Sequence, residues 1–556
     1  MVDRPRVSEQ LRRPVVVAVV ALLLFVWVFL YRFNTLGGAF GGFDNDHFLH
    51  FVYAKQVQAG EQPLRDFMDA GLQGARPSLT YELSAAAQSY FGNNLRSEAW
   101  LTVGGVALGA AIAFVAASMI APWPWALLTA LLSALISPKL YGYPKVLVTA
   151  VASLLIVCAS RLPPRTRVAV MSAWTAIAFL FRNDYAIYCV VGFVVVTVCA
   201  ATASWRDRLT QAAAYLLLTG VLLAPSLWWV QHYRGLTEYA RNGLEMSRNE
   251  ASRTRIGWPR LSLEHGLRSV IEDEDNAKAW IYYVFLAVPL VVIGVTAKHA
   301  MQGRHEPHAP VAALLALSVM TMVLSHYFLR GNLAARFGDM GPPMAVLAAY
   351  LLFVSTRGLI DHWLRALPGA MIAIAVFGMT VMCTWQMASV SSELRTGRLL
   401  ELPGDLFERT RRASQELLAM PPSLREQEGA GRMQASAYLH QCTKTTDRVV
   451  VMGYATDVIV FAERLFGGRR ASFVPGFYAD DRYSRETVAS LQSTSVPIVL
   501  GSNLFDDGQM PVIADYLRSH YEEAGKVRFY ESELRVLVRR GLAGQPLGPG
   551  GLPCFG

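Results

Sequence analysis

The chain has 556 residues, of which 53% are hydrophobic and only 17% are charged. Soluble domains carry about 25% charged residues, so this composition excludes an ordinary soluble protein and indicates a membrane protein. The net charge of +9 matters less than the placement of Lys and Arg, because cytoplasmic loops collect these residues. No nucleic-acid partner is predicted.

The first 390 residues predict a polytopic α-helical membrane domain with about eleven transmembrane helices, each an apolar run near the length that crosses about 30 Å of hydrocarbon. The Arg-rich start is expected in the cytoplasm, because alternate connectors are then basic as well. An odd number of spans starting inside places the last third of the chain outside. The predicted runs are 15–32, 98–119, 122–137, 146–160, 167–181, 185–203, 209–230, 280–297, 310–329, 343–356 and 368–389.

The last third predicts a helical connector over residues 391–440, an extracytoplasmic α/β domain over 441–540 and a flexible Gly/Pro-rich tail over 541–556. In the domain, the strands "RVVVMG", "RASFV" and "VPIVLG" alternate with helices, and "KVRFYES" pairs with "LRVLVRR". The six cysteines imply no disulfide or metal framework. Cys442 and Cys554 could pair if the tail is extracytoplasmic, and the sequence leaves this open.

Ionisable side chains recur at the span ends that face outside, three of them in the first long outside loop, residues 33–97. Charges at a membrane edge are costly to desolvate and usually serve a function. Arg suits bidentate contact with phosphate and Lys supplies a point charge, so the set suits a lipid-anchored anion such as a polyprenyl phosphate. The residues are Asp44, Asp46, His47, Lys139, Lys145, Arg182, Asp184, His326, Arg330, Arg336 and Asp339.

Each of these residues also has a structural alternative. Asp44 or Asp46 could cap the helix predicted after "GGFDNDH", and Arg182 could pair with Asp184. The two lysines could extend their ammonium groups to the interface. That helix carries Phe48 and neighbouring apolar residues on one face, which suits a helix lying in the membrane interface.

The motif "DNDHF" from Asp44 resembles the Asp-Glu-x-His-Phe pattern of protein O-mannosyltransferases, with Asn45 in place of the Glu. The run "YAKQVQAGEQPLRDFMDAG" from Tyr53 is similar to a run common in bacterial relatives of the aminoarabinose lipid A transferases, and "VVVMGYATDVIVFAERLFGGRRASFV" to the outside domain of bacterial members. The chain therefore resembles the GT-C class of integral-membrane glycosyltransferases. The resemblance implies a GT-C-like fold, a lipid-phosphate sugar donor and a base role for Asp44, with Asp46 available as the second carboxylate.

The expected reaction moves a sugar from a polyprenyl-phosphate donor to a hydroxyl of an extracytoplasmic glycan, lipid or protein. Direct attack in one step predicts inversion at the anomeric carbon. Asp44 is the candidate base, and Asp46 is expected to orient the acceptor or to stabilise positive charge at the sugar ring. The donor phosphate needs cations, here in the order Arg182, Lys145, Arg336, Arg330 and Lys139, while His47, Asp184, His326 and Tyr143 are expected to bind or orient substrate.

An Asp-x-Asp pair also suits a divalent metal, but without further clustered acids the sequence favours neither a metal nor another cofactor.

Two alternatives to the enzyme stay open. One is a transporter or flippase of lipid-linked sugars, which would carry ionisable residues near the membrane midplane. The other is a non-catalytic membrane scaffold. The expected location is the inner (plasma) membrane with a cytoplasmic N-terminus, and the oligomeric state is not predicted.

Overall fold

The computed structural model describes most of the chain. The described residues are 7–36, 43, 45–68, 78–136, 139–199, 204–254, 257–262, 264, 266–301, 311–327, 329, 333–387, 403–419, 433–473, 481–501, 510–530 and 532–555.

Nineteen α-helices and five strands are found in this described part of the chain. The helices are α1 (Val7–Thr35), α2 (Asn45–Gln58), α3 (Leu79–Phe91), α4 (Leu95–Ser118), α5 (Trp123–Leu135), α6 (Tyr143–Cys158), α7 (Pro164–Phe181), α8 (Asn183–Val198), α9 (Trp205–Tyr233), α10 (Leu236–Thr254), α11 (Leu267–Glu272), α12 (Glu274–Met301), α13 (Val311–Tyr327), α14 (Ala334–Met387), α15 (Pro403–Ala419), α16 (Gln434–Cys442), α17 (Thr456–Ala462), α18 (Asp481–Ser493) and α19 (Pro511–His520). The strands are β1 (Arg448–Val451), β2 (Leu465–Phe466), β3 (Ile498–Gly501), β4 (Tyr521–Phe529) and β5 (Ser532–Arg539).

The chain forms two compact units, each assembled from separate stretches of sequence. The helical unit comprises Met1–Thr35, Thr102–Pro225 and Thr254–Leu406. The mixed unit comprises Leu36–Leu101, Ser226–Arg253 and Phe407–Gly556. The first long loop and the C-terminal domain, which the sequence analysis treats as separate, thus belong to one compact unit.

The eleven predicted apolar runs all overlap helices, as expected for a polytopic helical membrane protein. In the described residues, seven helical segments are long and apolar enough to cross a membrane, and three shorter apolar helices accompany them. The runs predicted at 146–160 and 343–356 extend into the 22-residue segments Leu140–Arg161 and Arg336–Arg357, because polar residues at their ends continue the helix.

Helix α14 covers two predicted spans, and its contacts require the chain to reverse direction within it. The Phe337 ring lies 5.4 Å from the ring of Phe285 in α12, and Thr380 accepts a 3.2 Å hydrogen bond from Trp280 in the same helix. A straight helix would separate Phe337 from Thr380 by about 65 Å, at about 1.5 Å per residue. The two spans are therefore distinct segments, Arg336–Arg357 and Leu367–Met387, as the sequence predicts.

Small residues allow α4 to pack closely on α6. A Cβ atom at Gly105 would lie 2.4 Å from the ring of Tyr143, and one at Gly109 would lie 2.6 Å from Val146. Transmembrane helices commonly use glycine in this way to bring their backbones together. The contact fixes the first turn of α6, which carries one of the predicted phosphate-binding lysines.

The sheet of the mixed unit has the order β2-β1-β3-β5-β4. Strands β2, β1 and β3 are parallel, while β5 pairs antiparallel with both β3 and β4. Apolar residues from the strands and from α18 and α19 form its core, among them Val450, Val499, Leu491 and Leu517. The predicted α/β domain is confirmed.

Two local predictions in this domain were wrong. The segment "RASFV" was expected to be a strand, but Ala471–Phe473 is irregular and the second strand is Leu465–Phe466, inside a predicted helix. Helix α17 ends early because Glu463 has a φ of 55°, a left-handed conformation that stops an α-helix. The chain then turns to pair Leu465 and Phe466 with β1.

The C-terminal tail, predicted to be flexible, instead packs on α16. Cys554 forms a disulfide with Cys442, and the Tyr438 hydroxyl donates a 2.8 Å hydrogen bond to the carbonyl of Pro553. Leu552 is buried, and Gln545 pairs with Cys554 through two backbone hydrogen bonds. Covalent and backbone pairing override the Gly/Pro-rich composition that suggested disorder.

Candidate functional site

The predicted phosphate-binding cations that the structure describes lie at neighbouring helix ends in the helical unit. Lys145 is in the first turn of α6, after the short 3₁₀ turn Leu140–Gly142. Arg182 has extended backbone angles between α7 and α8, where it ends one helix and precedes the next. Arg336 lies in the first turn of α14. Lys139 directly precedes the same 3₁₀ turn, so three separate junctions of the chain supply these four cations.

Lys145 is held by a buried carboxylate. Its ammonium nitrogen lies 3.3 Å from Oδ2 of Asp339, and the two side chains are 5% and 2% exposed. Thr149 donates a 3.2 Å hydrogen bond to the backbone carbonyl of Asp339, which fixes α14 against α6. A Cβ at Gly142 would lie 3.3 Å from Asp339 Oδ1, so glycine lets the turn approach the pair. The sequence placed Asp339 on this face but assigned it no role.

Arg182 makes the ion pair that was expected as its structural alternative. Its Nε and Nη2 donate to the two carboxylate oxygens of Asp184, at 3.0 and 2.6 Å. Asp184 also accepts a 3.0 Å hydrogen bond from the backbone amide of Tyr185, so it helps to begin α8. The Arg182 guanidinium lies 5.5 Å from the ring centre of Tyr185, a residue that sequence reasoning missed.

These pairs form one electrostatic cluster rather than isolated contacts. Lys145 interacts electrostatically with Arg182 and Arg336 as well as with both carboxylates, and Arg336 interacts with Asp339. Tyr141 joins the cluster, because the ammonium groups of Lys139 and Lys145 lie 5.2 and 5.4 Å from its ring centre. We call this set the cation cluster: Lys139, Lys145, Arg182 and Arg336 with Asp184 and Asp339. Three of its cations, Lys145, Arg182 and Arg336, interact with one another, so the cluster concentrates positive charge that can attract an anion.

The acidic motif belongs to the mixed unit, where it begins α2. Asp46 accepts a hydrogen bond from the hydroxyl of Tyr454, which follows β1 in the C-terminal domain. No role was predicted for Tyr454, so sequence reasoning missed this partner. Asp44, the candidate base, lies outside the described residues, as does Arg330, and so does the side chain of His326.

Two residues predicted to bind or orient substrate are buried in packing contacts. His47 is 2% exposed, and its ring lies 5.1 Å from that of Phe43 in an edge-on contact. Tyr143 is 1% exposed and lies edge-on to Phe181, with Gly105 against its ring. In this structure both rings contact protein on several sides.

Helix α2 was predicted to lie in the membrane interface, but its apolar face is buried by protein. Phe48 packs 5.3 Å from Phe461 of α17, and Tyr53 packs 5.5 Å from Phe466 of β2. Gln56 donates a 3.1 Å hydrogen bond to the carbonyl of Phe466. The pattern of apolar residues was correctly identified, but a protein surface takes the place of lipid.

Burial changes the ionisation of Lys55, on the same helix. It lowers the pKa of Lys55 from 10.5 to about 8, although the carboxylate of Glu463 acts in the opposite direction.

Among the described residues, no group of three His, Cys, Asp or Glu is arranged to hold a metal ion.

No family model matches the chain, and none of the curated proteins matches it. A solved structure that does match is the crystal structure of ArnT from Cupriavidus metallidurans bound to undecaprenyl phosphate, with a TM-score of 0.52 and 12% identity over 95% of this chain and 98% of that chain. The chain has a GT-C-type fold. The oligosaccharyltransferase of Archaeoglobus fulgidus, in complex with Zn and sulfate, matches with a TM-score of 0.46 and 12% identity over 92% of this chain and 71% of that chain. The fold assignment rests on ArnT and confirms the resemblance inferred from the sequence motifs.

Proposed function

We propose that the protein is a glycosyltransferase that moves a sugar from a polyprenyl-phosphate donor to an extracytoplasmic acceptor, with inversion at the anomeric carbon. The observation that carries the proposal is the cation cluster, in which Lys145, Arg182 and Arg336 meet at helix ends of a GT-C-type fold. A protein of this fold, ArnT, has been crystallised with undecaprenyl phosphate, and a polyprenyl phosphate is the monoester that the proposed donor leaves behind when its sugar is transferred. The acceptor is a cell-envelope glycan, lipid or protein.

The charge of the cluster fits the change that the donor undergoes. A polyprenyl-phosphate sugar is a phosphodiester with one negative charge. When the bond from the anomeric carbon to the phosphate oxygen breaks, the phosphate keeps the electron pair and gains a second charge. Cations held together in the cluster favour this product-like state over the starting donor, which is how preorganised cations lower a barrier.

The acceptor hydroxyl forms the new bond to the anomeric carbon on the face opposite the leaving phosphate. Its proton passes to a carboxylate, for which Asp44 is the proposed base. A carboxylate is a weak base for a hydroxyl, so most of the proton transfer comes late and positioning of the acceptor contributes heavily. Asp46, held by Tyr454, orients the acceptor or stabilises charge at the ring. The proposed reaction uses no metal or other cofactor.

The proposed location is the inner membrane, with the N-terminus in the cytoplasm and the C-terminal domain outside. The disulfide between Cys442 and Cys554 supports this orientation, because disulfides persist in oxidising compartments. A reporter that is active only outside the membrane, fused after residue 556, should be active. A reporter that is active only in the cytoplasm should be silent at the same position.

The test supplies labelled polyprenyl-phosphate sugars to membranes that contain the wild type, Asp44→Asn or Arg336→Gln. We expect Asp44→Asn to abolish transfer and Arg336→Gln to raise the KM for the donor about tenfold or more, since a charged contact is worth about 1.5–3 kcal/mol. Lys298→Gln is the matched control, because Lys298 is an exposed cation in the last turn of α12, away from the cation cluster. Unchanged transfer by Asp44→Asn would remove Asp44 as the base. If no donor supports transfer by the wild type, the enzyme class is refuted.

A further inference from the structure

The hydrogen bond between Tyr454 and Asp46 joins residues 408 positions apart in the chain. One is in the turn after β1, and the other is in the first turn of α2 beside the proposed base. We infer that Tyr454 is a positioning residue for the transfer reaction, acting through the Asp46 carboxylate. This inference rests on the proposed function and gives the C-terminal domain a part in it.

The turn that presents Tyr454 is fixed on both sides by backbone hydrogen bonds. The amide of Met452 donates to the carbonyl of Leu500 at 2.8 Å, and the amide of Phe473 donates to the carbonyl of Gly453 at 2.9 Å. Gly453 has a φ of 116°, which side-chain-bearing residues rarely adopt, so the glycine sets the direction in which the next residue leaves the strand. Tyr454 is therefore held by the sheet rather than by a mobile loop.

Helix α2 is fixed to the same domain at its other end. Gln56 donates to the carbonyl of Phe466, and Glu61, just after the helix, forms an ion pair with Arg448 of β1. Tyr53 packs against Phe466 in the middle of this contact. With the C-terminal end of α2 held by β1 and β2, the contact with Tyr454 restrains its N-terminal end, where the acidic motif lies.

A hydrogen bond to one carboxylate oxygen restricts the side-chain rotation of Asp46 and the direction in which its charge points. Misplacement of a reacting or orienting group by about 1 Å can cost about a hundredfold in rate, so such a restraint matters even without contact with the substrate. Tyr454 keeps its proton throughout. The bonds made and broken remain those of the proposed transfer, with the acceptor proton passing to Asp44.

The test compares Tyr454→Phe with Tyr530→Phe in the labelled-donor assay. Tyr530 is a matched control, because its hydroxyl donates a 2.8 Å hydrogen bond to another carboxylate of the same domain, that of Asp457, which is not part of the acidic motif. We expect kcat to fall about tenfold in Tyr454→Phe with KM unchanged, as for the loss of a hydrogen bond to a charged group. Tyr530→Phe should keep both constants, and the two variants should lose similar thermal stability.

A double-mutant cycle with Asp46→Asn separates positioning from other roles. If Tyr454 acts through Asp46, Tyr454→Phe should change kcat less than twofold in the Asp46→Asn background. A full tenfold loss there, a change confined to KM, or an unchanged kcat in the single variant would each overturn the inference. A wild type without transfer activity would instead count against the proposed function itself.

Discussion

The sharpest stability prediction concerns Glu486, the carboxylate on which three arginines of the mixed unit converge. Arg234 donates to both of its oxygens at 2.7 Å, while Arg469 and Arg482 place nitrogens 3.9 and 3.7 Å away. Arg469 also donates to the carbonyl of Leu64. Glu486 thus ties together α18, the end of α9 and the loop after α2, which are distant in the sequence. Glu486→Gln keeps the shape and removes the charge.

The burial of the ion pair sets the size of the stability loss expected for Glu486→Gln. The side chains of Arg234 and Glu486 are 6% and 24% exposed, so the pair is largely desolvated. Removing one partner of a fully buried pair costs about 3–5 kcal/mol, and partial exposure reduces this to about 2–3 kcal/mol here. The amide still accepts one of the two hydrogen bonds, which places the loss within that range.

The pH dependence of this loss has a defined sign. Burial alone would raise the pKa of Glu486, but the hydrogen bond and charge of Arg234, with the charges of Arg469 and Arg482, outweigh it and hold the pKa below the ordinary 4.5. A carboxylate with a lowered pKa in the folded state contributes its stability above the unfolded value and loses it as the pH falls through the folded value. The difference between the wild type and Glu486→Gln should therefore be constant near neutral pH and shrink below about pH 4.5.

The assay is thermal unfolding of the purified full-length protein, with hydrogen exchange to locate the change in the mixed unit. Glu523→Gln is the control, because its ion pair with Arg535 is also 2.7 Å long but its side chain is 38% exposed. Such a surface pair contributes less than about 1 kcal/mol. If Glu486→Gln destabilises the mixed unit no more than Glu523→Gln does, or if its effect grows on acidification, the reasoning from burial is refuted.

Two further predictions concern pairs that join distant parts of the chain. Lys145→Met should destabilise the helical unit by about 3–5 kcal/mol, because it leaves the Asp339 carboxylate buried without its closest cation, and adding Asp339→Asn should restore part of the loss in a thermal unfolding assay. No recovery in the double variant would show that the buried charge is not the cause. Cys442→Ser should cost about 4–5 kcal/mol, since the disulfide closes a loop with a sequence separation of 112, and reduction of the wild type should lower its melting temperature to that of the variant. Equal melting temperatures for the oxidised wild type and Cys442→Ser would contradict this.

The sequence was sufficient to predict the helical framework and most of the C-terminal domain. Length and apolarity identify a span because the hydrocarbon thickness fixes both. Alternation of strand and helix identifies α/β architecture because each element must bury one face. The same reasoning grouped Lys145, Arg182 and Arg336, since charges at span ends on one side must share a depth. In each of these cases the physical constraint acts on a single helix, strand or span, so the residues of that segment are enough to reveal it.

Partners across the chain could not be predicted in this way. Nothing near Lys145 indicates that Asp339, 194 residues later, is its partner, because the pairing depends on how α6 and α14 pack. The contact of Tyr454 with Asp46 likewise follows from the docking of α2 on β1 and α17. The local sequence pattern also led to a wrong prediction for β2. The apolar pattern continues past Ala462, but the left-handed conformation of Glu463 ends α17 there.

The ion pairs around Glu486 and those in the cation cluster use similar chemistry for different purposes. Around Glu486, the guanidinium groups of Arg234, Arg469 and Arg482 each donate to a carboxylate or a backbone carbonyl, so the charges are used to join segments. In the cation cluster, Asp339 and Asp184 fix Lys145 and Arg182 in place, and Arg336 adds a third cation that interacts with both. Keeping like charges together in a weakly solvated place costs free energy that packing alone does not return. That cost is explained if the cluster acts on an anion that arrives with the donor and gains charge as the sugar leaves.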